Sequence, residues 1–155
     1  MKAQNLSPLF NVSEIIVSYQ PKFKACERPT IKQSKEAYEI LISNWDSNKI
    51  HFQEQFYILL LNNANRVIGI SLISTGGKAG TIADPKIIFG IALKSQASSI
   101  IMAHNHPSEN LNPSQADLQL TAKMVQAGKM LDLPVLDHLI VTSEAYYSFG
   151  DEGLI

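Results

Sequence analysis

The coordinating chemistry of this chain is concentrated between Met102 and Asp117, which read Met-Ala-His-Asn-His-Pro-Ser-Glu-Asn-Leu-Asn-Pro-Ser-Gln-Ala-Asp. His104 and His106 stand one residue apart. Asp117 follows after a polar loop and the Pro113-Ser114 pair. In an extended backbone, residues two apart project to the same side at roughly 6.6 Å separation. Two imidazoles so placed converge on one ion, because zinc–nitrogen bonds are about 2.0–2.1 Å long. Asn105 then points the other way, and Pro107 stiffens the exit.

Asp117 falls in the first turn of a helix predicted from Ser114 to about Leu131. The apolar stripe of that helix is Leu120, Met124, Gly128 and Leu131. Stepping back three residues from Leu120 puts Asp117 at the edge of the inward face. An inward carboxylate is costly unless it meets a charge, hydrogen bonds or a metal. Ser114-x-x-Asp117 also reads as a capping arrangement that needs no metal. Two close histidines alone are compatible with ordinary hydrogen-bonded residues, and it is the combination that points to an ion. Three protein ligands leave a fourth position open, the mark of a catalytic rather than a structural zinc site. A water bound there has its pKa lowered toward about 7 and needs a base for its proton. Glu54, just before an apolar run, is the candidate. Its alternative is a solvated glutamate at a strand end.

These residues need elements to hold them. Ser98–Ala103 is a short buried strand that delivers His104. Gln55–Leu61 is a nearly continuous apolar strand, and Asn62-Asn63-Ala64-Asn65 is a turn by composition. Arg66–Ile73 completes a hairpin, covered at least in part on both faces. Ser74–Thr81 is glycine-rich without a phosphate-cradling pattern, so it reads as a flexible loop beside a cleft. Asp84-Pro85 starts a helix with a carboxylate cap and proline at the first helical position. Ile88, Ile91, Ala92 and Ser95 form its buried stripe. A further helix at about 34–45, capped by Ser34, buries Ala37, Tyr38, Leu41, Ile42 and Trp45. Val135–Thr142 and Ala145–Phe149 read as the last strands. Pro21 and Pro29 bracket a basic connector, and Ser13–Tyr19 reads as a strand. The intermixing of strands and helices argues an α/β chain of α+β type, a mixed sheet flanked by helices. Residues 1–27 form an arm with room for one added strand, and 28–155 the domain.

The bulk numbers exclude several classes. With 155 residues, 45% apolar and 17% charged, the composition is globular. The net charge is −1, so no global field recruits nucleic acid or an anionic membrane. Residues 1–35 carry Lys2, Lys22, Lys24, Arg28, Lys32 and Lys35 against Glu14 and Glu27, a surplus of four that leaves −5 elsewhere. That arm is read as solvated surface rather than a binding footprint. Cys26 is the only cysteine, which removes an internal disulfide and a multi-cysteine zinc cage. There is neither a signal-like apolar core nor a run of membrane-spanning length, so the expectation is a cytoplasmic protein without a membrane partner.

His104-Asn105-His106-Pro107, six residues, then Ser114-x-x-Asp117, with a glutamate about fifty residues upstream, resembles the JAMM motif of the MPN/JAB zinc metalloprotease family. The His-Asn-His-Pro-Ser run, Pro-Ser-x-x-Asp, and Val135-Leu136-Asp137-His138-Leu139-Ile140-Val141 are similar to the RadC-like branch, over roughly Arg28 to Ile155. The resemblance implies a cytidine-deaminase-like MPN/JAB fold. It implies one Zn²⁺ per chain on His104, His106 and Asp117, Glu54 as the base that passes a proton to the leaving amine, and Ser114 beside the oxyanion. The implied reaction is hydrolysis of a peptide or isopeptide bond in a protein or peptide substrate. Deamination is disfavoured, since H-x-E and P-C-x-x-C are missing.

Longer RadC proteins carry a helix-hairpin-helix segment ahead of this domain, and the arm here is too short for one, which weakens an inherited DNA link. The competing expectation is a DNA repair or recombination accessory protein whose metal is structural. Asn105 stands where the eukaryotic-type motif has serine or threonine, leaving the ligands intact. Asp137 and His138 match the branch without an evident role, His138 being read as structural, at a sheet edge or approaching the site.

Overall fold

The computed structural model describes residues 11–77 and 81–155. Its elements are α1 (Ser34–Asn44), β1 (Gln55–Leu61), β2 (Val67–Thr75), α2 (Pro85–Lys94), β3 (Ser99–Asn105), α3 (Gln115–Met130), β4 (Val135–Val141) and β5 (Tyr146–Ser148), with a 3₁₀ turn at Ala25–Glu27. The strands form one mixed sheet in the order β2-β1-β3-β4-β5. β1 runs antiparallel to both β2 and β3, β3 and β4 are parallel, and β5 is antiparallel to β4. The parallel pair needs a crossover, and α3 supplies it.

β1 lies at the interior of the sheet, and every one of its residues is buried, as its unbroken apolar run demands. Its side chains alternate between two cores. Tyr57, Leu59 and Leu61 pack with Ile101, Ala103, Leu139 and the α1 residues Ala37 and Leu41. Phe56, Ile58 and Leu60 pack with Ile100, Met102, Ile88, Phe89 and Ala92 of α2, and Met124 of α3. Full burial of one such aliphatic side chain stabilises the fold by roughly 1.5–3 kcal/mol, so truncation on either face loosens β3 as well. The β1–β2 turn forms as expected. The Asn62 side chain accepts from the backbone N–H of Ala64 and Arg66, each at 3.0 Å, and Asn65 takes the left-handed φ of 54° that asparagine tolerates.

Both caps that flank the cleft are present. Asp84 accepts from the Lys86 N–H at 2.8 Å, and Ser114 caps α3. Gly128 is required at the far end of α3, because a Cβ there would lie 2.5 Å from the Leu133 carbonyl oxygen. That close approach lets the N–H of both Leu131 and Leu133 reach the Gly128 carbonyl.

Three expectations are corrected. Ser13–Tyr19 forms no strand, and Val12, Ile15, Ile16 and Val17 are exposed. Its β-branched residues favour a strand only where a neighbouring edge pairs with them. The segment is instead tethered through the Tyr19 hydroxyl, which donates to the Ile68 carbonyl at 2.8 Å. The cap of α1 is Gln33 rather than Ser34, with Glu36 closing a capping box. β2 is an edge strand with Ile70 and Leu72 exposed, so the hairpin is covered in part, as expected, with β1 buried on both faces. Leu131 is exposed and Thr121 buried, so the inward line of α3 is Asp117, Thr121, Met124 and Gly128. β2 takes up the start of the glycine-rich loop as far as Thr75, while Lys78–Gly80 lie outside the described residues.

Candidate metal centre

Three elements meet at the end of β3. His104 is its penultimate residue and pairs across the sheet with Phe56. By strand alternation it shares a face with Ile100 and Met102, towards α2 and α3. His106 lies just beyond the strand, where its N–H donates to Val141 O at 3.3 Å. The loop then folds back: the Glu109 N–H donates to His106 O at 2.9 Å, with Glu109 at a left-handed φ of 63°. This return brings the Asn110 carbonyl to 2.6 Å from His106 Nδ1. Asp117 arrives from the first turn of α3, held by the box in which the Ser114 N–H donates to Asp117 Oδ2 at 2.7 Å and the Asp117 N–H to Ser114 Oγ at 3.1 Å. The capping and ligand readings of Asp117 are therefore compatible, because the second carboxylate oxygen is free to face the histidines.

The geometry is close. His104 Nε2 lies 3.0 Å from His106 Nε2 and 3.2 Å from Asp117 Oδ1. His106 Nε2 lies 3.7 Å from Asp117 Oδ2. One donor atom from each residue falls within 4.8 Å of the others. His106 Nδ1 faces a carbonyl, which only accepts, so Nδ1 carries the proton and a neutral His106 presents a lone pair at Nε2. A lone pair and a carboxylate directed at the same small volume fit a metal ion, and these residues could bind one.

Glu54 sits across from them, 9% exposed and immediately ahead of β1. Asn105 fixes its place. Pointing to the opposite face from His104, Asn105 accepts from the Gln55 N–H at 2.7 Å and donates to Ile50 O at 2.7 Å and Gln53 O at 2.9 Å. One residue between the two histidines thus holds the segment that carries Glu54. A cavity of about 550 Å³ opens over the group, lined by Glu54 and the donors, by Phe56, Ala83 and Leu120, and by Asn110 and Asn112. Among the described residues, no lysine or arginine lines it.

The protonation equilibria reflect this crowding. Burial raises the Glu54 pKa above the usual glutamate range, against the pull of His104 and His106. Burial also pushes Asp117 upward, but hydrogen bonds from His104 and His106, which they donate only as charged imidazolium rings, and from Ser114 outweigh it and hold the carboxyl well below its ordinary range. The Asp117 carboxylate raises the pKa of His106. Burial holds His138 well below the usual histidine value, so it stays neutral.

All five residues singled out in the sequence (Glu54, His104, His106, Ser114 and Asp117) line this one cavity. Two more residues bear on it: His138, read from the sequence as structural with approach to the site as the alternative, and Thr121, which sequence reasoning missed. His138 is fully buried with Nε2 at 2.8 Å from His104 Nδ1, and Thr121 Oγ1 lies 2.7 Å from His138 Nδ1. The spacing of Thr121, four residues after Asp117, was a usable signal. Asp137 points the other way and accepts from the His138 N–H, Ser148 Oγ and the Gly150 N–H at 2.7, 2.6 and 2.8 Å. It ties β5 and the final turn to β4.

The sequence profile described as the RadC-like JAB domain matches residues 31–154. The chain belongs to this family. A UPF0758 protein of Flavobacterium johnsoniae is 52% identical over 101 residues, covering 65% of this chain and 44% of the relative. One from Thermosynechococcus vestitus is 48% identical over 98 residues, covering 63% and 39%. One from Methanosarcina barkeri is 32% identical over 156 residues, covering 99% and 64%. The matched stretch thus spans under half of the first two relatives. Within the RadC-like JAB span lie all three donors, Glu54 and Ser114. Among the described residues, no helix is long and apolar enough to cross a membrane.

Proposed function

We propose that this RadC-like JAB domain is a zinc-dependent hydrolase of peptide or isopeptide bonds in a protein or peptide substrate. The observation that carries the reading is the convergence of His104, His106 and Asp117 opposite the buried Glu54 in an open cavity. Two nitrogens and one oxygen make a three-ligand set that suits zinc with one position open, and one ion per chain is expected. When bound, the ion supplies Lewis acidity and lowers the pKa of a water toward about 7.

The residues of the chain do the rest. Glu54 is the general base and then the acid that protonates the leaving amine, and its raised pKa brings it closer to neutral pH, where both tasks are feasible. Ser114 Oγ, on the cavity wall, is placed to donate to the oxyanion that develops on the scissile carbonyl. Its hydroxyl bonds Asp117 Oδ2 at 2.7 Å, so that proton must turn away from the carboxylate as the oxyanion forms. Phe56, Ala83 and Leu120 add apolar lining to the cavity.

The test is a diverse peptide library incubated with the zinc-loaded protein, cleavage being read by mass spectrometry. Glu54→Gln is expected to keep zinc and lose cleavage, and His104→Ala to lose both. Full activity in Glu54→Gln would remove the base assignment. The competing reading, a DNA-associated accessory domain, draws on the exposed Lys22, Lys24 and Lys32. It predicts salt-dependent DNA binding that disappears when Lys22, Lys24 and Arg28 are neutralised. The Arg28 guanidinium donates to the Phe23 carbonyl at 3.0 and 3.2 Å and keeps its charge and remaining N–H groups for such a footprint.

A further inference from the structure

We infer that Thr121 and His138 are positioning residues that fix the tautomer of His104, turning its Nε2 lone pair toward the ion. This rests on the metal-centre reading above and concerns the buried side of the site, away from the cavity.

The proton positions follow from the partners. Thr121 Oγ1 lies 2.7 Å from the Asp117 carbonyl oxygen and 2.7 Å from His138 Nδ1. A carbonyl only accepts, so the single hydroxyl proton goes to Asp117 O. The opposite assignment would set two oxygen lone pairs face to face at 2.7 Å. Toward His138 the hydroxyl then offers only lone pairs, so His138 Nδ1 carries the hydrogen. A neutral imidazole has one N–H, which leaves His138 Nε2 as an acceptor. Nε2 stands 2.8 Å from His104 Nδ1, so that nitrogen donates. What remains on a neutral His104 is the lone pair of Nε2, directed at Asp117 Oδ1 and His106 Nε2.

The relay begins and ends on one residue. The backbone carbonyl of Asp117 sets its direction, and the carboxylate of Asp117 is the partner ligand. Packing keeps it from reorienting: the His138 ring stacks on Phe149 with centroids 4.8 Å apart and an interplanar angle of 16°, and Phe56 closes another side at 5.6 Å. His138 also pairs with Met102 in the parallel β3–β4 register, which fixes its height against His104. Groups behind a metal-bound histidine commonly set its tautomer and basicity, and their loss lowers metal affinity by roughly 10- to 100-fold.

The experiment measures zinc affinity by chelator competition and the imidazole tautomers of the metal-free protein by long-range ¹H–¹⁵N spectra. His138→Phe keeps the ring stack but not the acceptor, and is expected to bind zinc roughly 10- to 100-fold more weakly. Thr121→Val removes the hydroxyl at nearly constant volume and is expected to weaken binding less, with Thr121→Ser restoring it. His104 should carry its proton on Nδ1 in the wild type and show mixed tautomers in His138→Phe. Should His138→Phe fail to fold, the Thr121→Val and Thr121→Ser pair decides the matter. Folded variants that bind zinc like the wild type, or a wild-type His104 protonated on Nε2, would overturn the relay. A wild type that binds no zinc would sink the metal-centre reading, while the tautomer spectrum would still decide the relay.

Discussion

The two faces of the sheet each bury polar side chains at the end of β3 and along β4, but they treat them differently. On the α1 face, Asn105 makes three hydrogen bonds to backbone and Asp137 another three to its neighbours. On the α2/α3 face, His104, His106 and Asp117 point their remaining atoms at one another. Buried polar groups normally find partners, and in this cluster two imidazole nitrogens and a carboxylate have mainly one another, an arrangement that a shared cation would satisfy. Because adjacent residues on one strand alternate sides, Asn105 can brace the scaffold while the histidines on either side of it face the cavity.

Substitutions should separate the two faces. The largest effect belongs to Glu54→Gln, which is expected to reduce peptide hydrolysis by roughly 10²- to 10⁴-fold with zinc retained, as read by steady-state kinetics and metal analysis. Next, Asn105→Ala leaves the Gln55 N–H and two carbonyls without their partner and should cost about 2–4 kcal/mol in denaturant unfolding. It should also disturb Glu54, whereas Asp117→Asn should abolish zinc binding yet leave the metal-free fold within about 1–2 kcal/mol of wild type. A comparable stability loss in both would erase the contrast.

The pH dependence of the metal-free protein adds a signed test. Glu54 has a folded pKa above its ordinary 4.5, so the folded state binds more protons than the unfolded one in that window. Its contribution to stability is therefore present at low pH and lost as pH rises through the folded value. Glu54→Gln should remove that slope and stabilise the metal-free fold at neutral pH. If the proposed hydrolysis holds, its rate should follow the opposite trend, rising as the carboxylate forms, and a rate–pH profile checks it. The smallest effect is at Glu109, whose left-handed φ of 63° favours glycine. Glu109→Gly should raise the thermal midpoint slightly, by about 0.5 kcal/mol of stability.

What could be read in advance was local. The caps Asp84 and Ser114 announce themselves by residue type, and β1 by an unbroken apolar run, so the elements around the cavity were visible in the chain. The ligand triad was visible because His104, His106 and Asp117 lie within one short stretch. The place of His138 behind His104 was left between a sheet edge and the site, because that contact depends on the parallel β3–β4 register, which no neighbouring residue encodes. Ser13–Tyr19 misled for the same reason, since strand propensity says nothing about whether an edge is offered. Leu131 was assigned inward by extending the helical period to the point where α3 ends.

The central claim is that one polar cluster is satisfied by the protein and the other by an ion. Titrating zinc into the metal-free protein while following thermal unfolding tests it most directly. At a free zinc concentration a hundredfold above its dissociation constant, one bound ion should add about 2.7 kcal/mol to stability, and Asp117→Asn should lose that gain. Wild-type protein that takes up no stoichiometric zinc and gains no stability would contradict the account.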